Sequence, residues 1–258
     1  MTPKAIFFDI DGTLVSFKTK SVPASAKTAI NQLRNKGIKV IISTGRAFYD
    51  IDNLGDLEFD GYITANGACC IDAKGGIISQ YLLSKESLNK FAFYLEENPV
   101  PCAFMTNNGN YINFADDATK SVHHLINLPI PPVAPVSEII EYDVFQMSVF
   151  IGLEKESELL NILTECSSSR WHPSFTDFNV KNICKASGID CFLKYYDIER
   201  KYTMAFGDGG NDITMLKHAA TGVAMDNAND AVKKVADYVT TSIDEDGIIN
   251  ALRYFNVL

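Results

Sequence analysis

The hydrophobic pattern changes twice along the chain. Lys4-Ala5-Ile6-Phe7-Phe8 is an unbroken apolar run, as in a strand buried on both faces, and it stops abruptly at Asp9-Ile10-Asp11-Gly12-Thr13. Ala26, Ala29, Ile30 and Leu33 then recur at helical spacing, with Ser25 as the expected cap and Gly37 as the stop. A second buried run, Ile38-Lys39-Val40-Ile41-Ile42, completes a β-α-β unit. A third strand, Gly61-Tyr62-Ile63-Thr64-Ala65, ends at Asn66-Gly67, and Asp72-Ala73-Lys74-Gly75-Gly76 reads as a hairpin turn.

After about Leu83 the pattern predicts neighbouring hairpins instead of crossovers. A helix over Ser84–Glu97 precedes a strand Cys102–Thr106, the turn Asn107–Asn110 and a strand Tyr111–Phe114. A helix over Asp116–Ile126, a proline-rich loop over Leu128–Pro135, a strand Val144–Ile151, a helix Glu154–Glu165 and two short strands around Trp171 and Phe178 follow. Past Lys185 helices and strands alternate again, through Ala186–Tyr196, Tyr202–Phe206, Asp212–Ala219, Thr221–Met225, Ala228–Val235, Tyr238–Thr240 and Glu245–Phe255. The expected class is α/β: a doubly wound, Rossmann-like parallel-sheet core over residues 1–82 and 185–258, interrupted by an inserted α+β cap domain over 83–184.

Composition narrows the functional classes. The 258 residues carry 23 Lys plus Arg against 32 Asp plus Glu, a net charge of −9, and 47% are hydrophobic. An acidic surface without a basic face disfavours nucleic acid and anionic membranes as partners. Apolar runs are far shorter than a membrane span, and no signal-peptide core follows Met1, so a cytoplasmic protein is expected. Cys69, Cys70, Cys102, Cys166, Cys184 and Cys191 form no metal spacing and are read as reduced, mostly buried thiols. His123-His124 lacks matching ligands for zinc, and Trp171 is read as core before sugar platform.

Open α/β sheets bind ligands at the carboxyl ends of their strands. Four strands end in polar clusters: Asp9 to Thr13, Ser43-Thr44-Gly45-Arg46, Asn66-Gly67, and Gly207-Asp208-Gly209-Gly210-Asn211-Asp212. Converging carboxylates repel one another, and a hard divalent ion resolves the conflict; magnesium suits a few carboxylates, water and a substrate phosphate. With Thr44, Arg46 and Lys185 added, the site suits a group with several anionic oxygens. Asp9 is a candidate nucleophile, and the Gly12 turn could return Asp11 to the leaving group as a general acid/base. The last cluster does not match a dinucleotide loop, since its final Gly is missing and Asp208 sits where neutral backbone is needed.

In this order the motifs resemble the haloacid dehalogenase superfamily of aspartate-nucleophile phosphotransferases. Asp9-Ile10-Asp11-Gly12-Thr13-Leu14 resembles its first motif, Thr44 its second, Lys185 its third and Gly207 to Asp212 its fourth. Ile63 to Ala68, Gly222 to Ala228 and Ala236 to Thr240 resemble the Cof-like branch, which carries a large α/β cap and includes sugar and hexose phosphate phosphatases. The resemblance implies Asp9 as nucleophile and metal ligand, and Asp11 as acid/base giving its backbone carbonyl to Mg2+. Asp208 and Asp212 complete the metal set, while Thr44 and Lys185 hold the phosphoryl group. Ala186 stands where the branch usually has Gly, and Lys181 is a rival to Lys185. Gly45, Arg46, Asn66 and Asn211, with Asn179 and Lys181 from the insert, are the expected substrate contacts.

The reading is therefore a magnesium-dependent phosphatase for small phosphorylated metabolites, sugar (hexose) phosphates first, acting through an aspartyl-phosphate at Asp9, with no obligate protein partner evident. A phosphomutase would use the same core but return the phosphoryl group to its substrate. A phospho-aspartate receiver shares the acidic doubly wound fold, yet an insert of about 100 residues suits a substrate better than a signalling surface.

Overall fold

The computed structural model describes residues 2–125 and 129–258. The end of the expected helix at Ile126, the start of the proline-rich loop at Leu128 and the assignment of the Trp171 side chain lie outside the described residues. The chain divides into two compact units, Met1–Ser79 with Cys184–Leu258, and Gln80–Ile183.

Strands β1 (Ala5–Phe8), β2 (Lys39–Ser43), β3 (Gly61–Thr64), β4 (Cys69–Asp72) and β5 (Ile77–Gln80) come first. The second unit contributes β6 (Cys102–Thr106), β7 (Gly109–Ile112), β8 (Val144–Val149), β9 (Cys166–His172) and β10 (Phe175–Val180). The chain then returns with β11 (Thr203–Gly207), β12 (Thr221–Ala224) and β13 (Tyr238–Val239).

The first unit's sheet has the order β13-β12-β11-β1-β2-β3-β4-β5. From β13 through β3 every pairing is parallel, and β4 turns back antiparallel on β3. Both faces are covered, which is why β1 reads as continuously apolar. Ile6 and Phe8 pack in a cluster with the helices Ala24–Asn35 and Gly247–Tyr254; Ala5 and Phe7 pack in another with Lys185–Tyr196 and Ile213–His218.

The second unit has its own antiparallel sheet, β7-β6-β8-β10-β9, and its own core. Leu88, Phe91, Tyr94 and Leu95 from the helix Lys85–Glu97 pack with Phe104, Met147, Val149 and Phe178. Alternation along β8 and β10 leaves Gln146, Ser148, Asp177 and Asn179 on the opposite, polar face, where Ser148 Oγ donates to Asp177 Oδ1 at 2.6 Å.

Two local expectations are corrected, and one element was not expected. Ser25 lies inside its helix, because Pro23 at φ −58° opens the turn and no side chain caps it. The strand expected at Tyr111–Phe114 runs over Gly109–Ile112, since Gly109, at φ +121°, pairs directly with Thr106 and tightens the hairpin. A short helix, Val136–Ile139, follows the proline-rich stretch, with Pro135 presetting φ −60° at its start.

Candidate active site

The strand order fixes where a site must form. After β1 the chain moves outward through β2 and β3 on one side, and β11 through β13 extend the sheet on the other, so β1 and β11 flank the topological switch point. Asp9 follows β1 and Asp208 follows β11, and the Asp9 N–H donates to the Phe206 carbonyl at 3.0 Å. One carboxylate oxygen from each of Asp9, Asp208 and Asp212 lies within 4.8 Å of the other two.

Lys185 opens the helix Lys185–Tyr196 and is fully buried. Its ammonium donates to Asp9 Oδ1 at 2.6 Å and to Asp212 Oδ1 at 2.5 Å. The other Asp212 oxygen accepts from the N–H groups of Asp208 and Gly209 at 2.9 and 2.8 Å. Asp212 thus ties the loop after β11 to the lysine. Gly12 must be glycine: its φ is +89°, and a Cβ there would lie 2.2 Å from Asp208 Oδ2.

Three carboxylates around one ammonium leave excess negative charge in a desolvated place. Burial and then Asp212 push the Asp9 carboxyl well above its usual range, against the pull of Lys185. Burial and Asp212 likewise push Asp208 up to about 7, opposed by the hydroxyl of Thr13, which donates to Asp208 Oδ1 at 2.9 Å. Burial alone would lower Lys185, but Asp212 and Asp9 outweigh it and hold the ammonium above its ordinary value. Clustered hard oxygen donors whose charges are incompletely balanced fit a divalent cation.

The remaining sequence candidates divide into two groups. Thr44, Gly45, Arg46 and Asn66 belong to the loops after β2 and β3, where Thr44 N–H donates to the Ile63 carbonyl and its own carbonyl accepts from Asn66 N–H. Ala65 and Asn66 both have positive φ, +48° and +53°, an uncommon conformation for non-glycine residues that concentrates at functional sites. The side-chain Oδ1 of Asn66 accepts from Asn211 Nδ2 at 2.9 Å, joining this loop to the one after β11. Arg46, expected among the substrate contacts, turns its guanidinium onto the Asp11 carboxylate with two bonds of 2.7 Å. Asn179 and Lys181 lie in the second unit; Asn179 is buried and donates to Gln146 Oε1 at 3.2 Å, whereas Lys181 is exposed.

Sequence reasoning did not single out two residues that hold the acidic loops. Thr13 bonds Asp208 as described, and Asn227 donates through Nδ2 to the Gly12 carbonyl at 2.8 Å. Asn227 also accepts from Ile243 N–H at 3.1 Å, so one amide links three loops. Its position just beyond a strand's carboxyl end was the available signal.

A family model for haloacid dehalogenase-like hydrolases matches residues 6–252. The chain belongs to that family. The solved structure of a subclass IIB sugar phosphatase has a TM-score of 0.92 at 40% identity, covering 99% of this chain and 100% of that one. A family phosphatase from Bacteroides thetaiotaomicron gives 0.94 at 36% identity, covering 100% and 96%. The putative phosphatase YkrA of Bacillus subtilis is 30% identical, with 100% of both chains covered. This haloacid dehalogenase-like chain is accordingly an enzyme of the phosphatase class, in a family that generally uses a metal ion. No helix among its described residues is long and apolar enough to cross a membrane.

A carboxyl whose folded pKa is raised binds its proton more readily in the folded state. Without a divalent ion, the stability contributed by Asp208 is therefore lost as pH climbs from 3.8 to about 7. Adding magnesium should raise the melting temperature by ~5 °C or more at saturating ion. The rise should be larger at pH 8 than at pH 5, where protons compete for the same oxygens, and Asp208→Asn should shrink it at both. A magnesium shift that is independent of pH and survives Asp208→Asn would place the ion elsewhere.

Proposed function

We propose that this enzyme is a magnesium-dependent phosphatase that hydrolyses small phosphorylated metabolites, sugar phosphates foremost, through a phosphoryl group carried on Asp9. The observation that carries the reading is the Asp9 carboxylate at the switch point, bonded to a buried lysine and flanked by Asp208 and Asp212. The sugar phosphatase among its structural neighbours supports the choice of substrate class.

In the first step an Asp9 carboxylate oxygen attacks phosphorus, the bond to the ester oxygen breaks, and protonated Asp11 gives its proton to the departing alkoxide. In the second, Asp11 takes a proton from water as that water attacks phosphorus, releasing inorganic phosphate and restoring the Asp9 carboxylate. Thr44, Lys185 and Asn211, with Gly45 and Asn66, hold the phosphoryl oxygens. Lys185 has a double duty, since its bond to Asp9 also aims the nucleophile and opposes the burial and Asp212 repulsion that favour its protonation.

Asp9, Asp208, Asp212 and the backbone carbonyl of Asp11 would hold magnesium. When bound, the ion offsets the carboxylate charge and the charge that develops on the transferring oxygens. Calcium should substitute poorly, because it admits extra and bidentate ligands that would engage both Asp9 oxygens. We assign it a cytoplasmic location, and its net charge of −9 agrees with an enzyme that has no nucleic-acid partner.

Substrate choice we assign to the inserted unit, with Asn179 and Lys181 as contacts for the sugar. Replacing either by Ala should shift relative kcat/KM among sugar phosphates by roughly 10- to 100-fold, the worth of one or two hydrogen bonds. Equal losses on every ester would instead give them a structural role.

Asp9→Asn matches the native side chain in shape but is neither nucleophile nor anion. It should stay folded and lose at least ~10³-fold in phosphate release. Retention of more than a tenth of the activity would rule out the covalent route. Assayed on a panel of phosphate esters, the native enzyme should release inorganic phosphate from hexose phosphates; isomerised hexose phosphate without phosphate release would make it a mutase.

A further inference from the structure

The Arg46 guanidinium gives three of its five N–H donors to protein groups. Nε donates to Asp11 Oδ2 and Nη2 to Asp11 Oδ1, both at 2.7 Å, and Nη1 donates to the Asp50 carbonyl at 3.2 Å. Its backbone is pinned as well: the Arg46 N–H donates to the Thr44 hydroxyl at 3.1 Å, and the Arg46 carbonyl accepts from Ala65 N–H at 3.0 Å. The arginine side chain is 10% exposed and the Asp11 side chain 35% exposed. A largely buried cation thus grips a carboxylate that is partly exposed.

The pair joins the loop after β1 to the loop after β2. A partly exposed ion pair contributes little to stability, so its value lies in geometry. Two parallel bonds from a planar fork set both the position and the plane of the carboxylate, which a single ammonium cannot do. Each Asp11 oxygen keeps a second lone pair, so the clamped group can still give or take a proton.

We propose that Arg46 is a positioning residue that aims the Asp11 carboxyl at the ester oxygen and then at the attacking water, and is not a ligand of the transferring phosphoryl group. The proposal rests on the acid–base reading of Asp11 given above. It changes the role expected for Arg46 from its place in the strand-end cluster. It also has a signature that phosphate binding lacks. A sugar alkoxide is a poor leaving group and needs its proton, whereas p-nitrophenolate departs without one. Misaiming Asp11 should therefore slow cleavage of a sugar phosphate far more than cleavage of an aryl phosphate.

The test is single-turnover cleavage by the full chain with magnesium, using a hexose phosphate and p-nitrophenyl phosphate. Arg46→Ala, Arg46→Lys, Asp11→Asn and the double variant Arg46→Ala/Asp11→Asn are compared with the native enzyme, and circular dichroism checks folding. Arg46→Lys keeps the charge without the fork, and it carries the test alone if Arg46→Ala does not fold. Both Arg46 variants should lose ~10- to 100-fold on the hexose phosphate and less than ~3-fold on p-nitrophenyl phosphate, the range of a misplaced acid–base group. In the Asp11→Asn background, Arg46→Ala should add less than ~2-fold, since it acts through a group already removed. Equal losses on both esters with a raised KM, or additive losses in the double variant, would overturn the proposal and make Arg46 a phosphoryl ligand. If Asp11→Asn separates the two esters and the Arg46 variants do not, only the Arg46 proposal falls. If Asp11→Asn slows both equally, the acid–base reading falls and takes the proposal with it.

Discussion

The structure turns on one electrostatic problem: Asp9, Asp208 and Asp212 are brought together where water is scarce, with the buried ammonium of Lys185 between two of them. Carboxylates placed this way repel, and each must be held by geometry as well as by charge. The surrounding loops supply that hold. Asp212 is fixed by two backbone N–H groups, Asp208 by the hydroxyl of Thr13, and the Gly12 turn leaves room that any side chain would fill. Asn227 then fastens the Gly12 carbonyl to the loop at Ile243.

The fold positions these charges in a simple manner. Strands buried on both faces can carry polar groups only at their ends, and parallel strands place all their carboxyl ends on one edge. The order of β11, β1 and β2 puts the loops bearing Asp208, Asp9 and Thr44 side by side. Lys185 reaches Asp9 from 176 positions later in the sequence. Between them lies the whole second unit, Gln80–Ile183, with its own sheet and hydrophobic core. At Gly67, where φ is +104°, the loop after β3 passes so close to the Cys184 carbonyl that a Cβ would lie 2.2 Å from it, which ties the start of the lysine-bearing helix to the sheet.

Much of this was legible because two signals coincided. The apolar runs of β1, β2 and β11 stop at charged or glycine-rich clusters, and the alternation of periods on either side of the insert marks a doubly wound sheet. The family resemblance rested on the same residues. Other features were hidden for physical reasons. A helix start set by the fixed φ of Pro23 gives no polar cap to read, and a two-residue shift of the β7 strand depends on the tight pairing of Thr106 with Gly109. The partner of Arg46 was illegible because a cation beside a phosphate site and a cation clamping an acid look alike in sequence; only the two 2.7 Å bonds to Asp11 separate them. Thr13 and Asn227 lie inside the recognised motifs but received no role of their own, since Thr and Asn are ordinary turn residues and their contacts span 195 and 215 positions.

The central claim is that this acidic centre makes Asp9 carry the phosphoryl group. Its most direct test is to quench the enzyme during turnover of a hexose phosphate, reduce with borohydride and map the product by mass spectrometry. An acyl phosphate at Asp9 is reduced to an alcohol, so homoserine should be found at position 9, dependent on both substrate and magnesium. Sustained phosphate release with unmodified Asp9, or with the reduced residue at another carboxylate, would contradict the account.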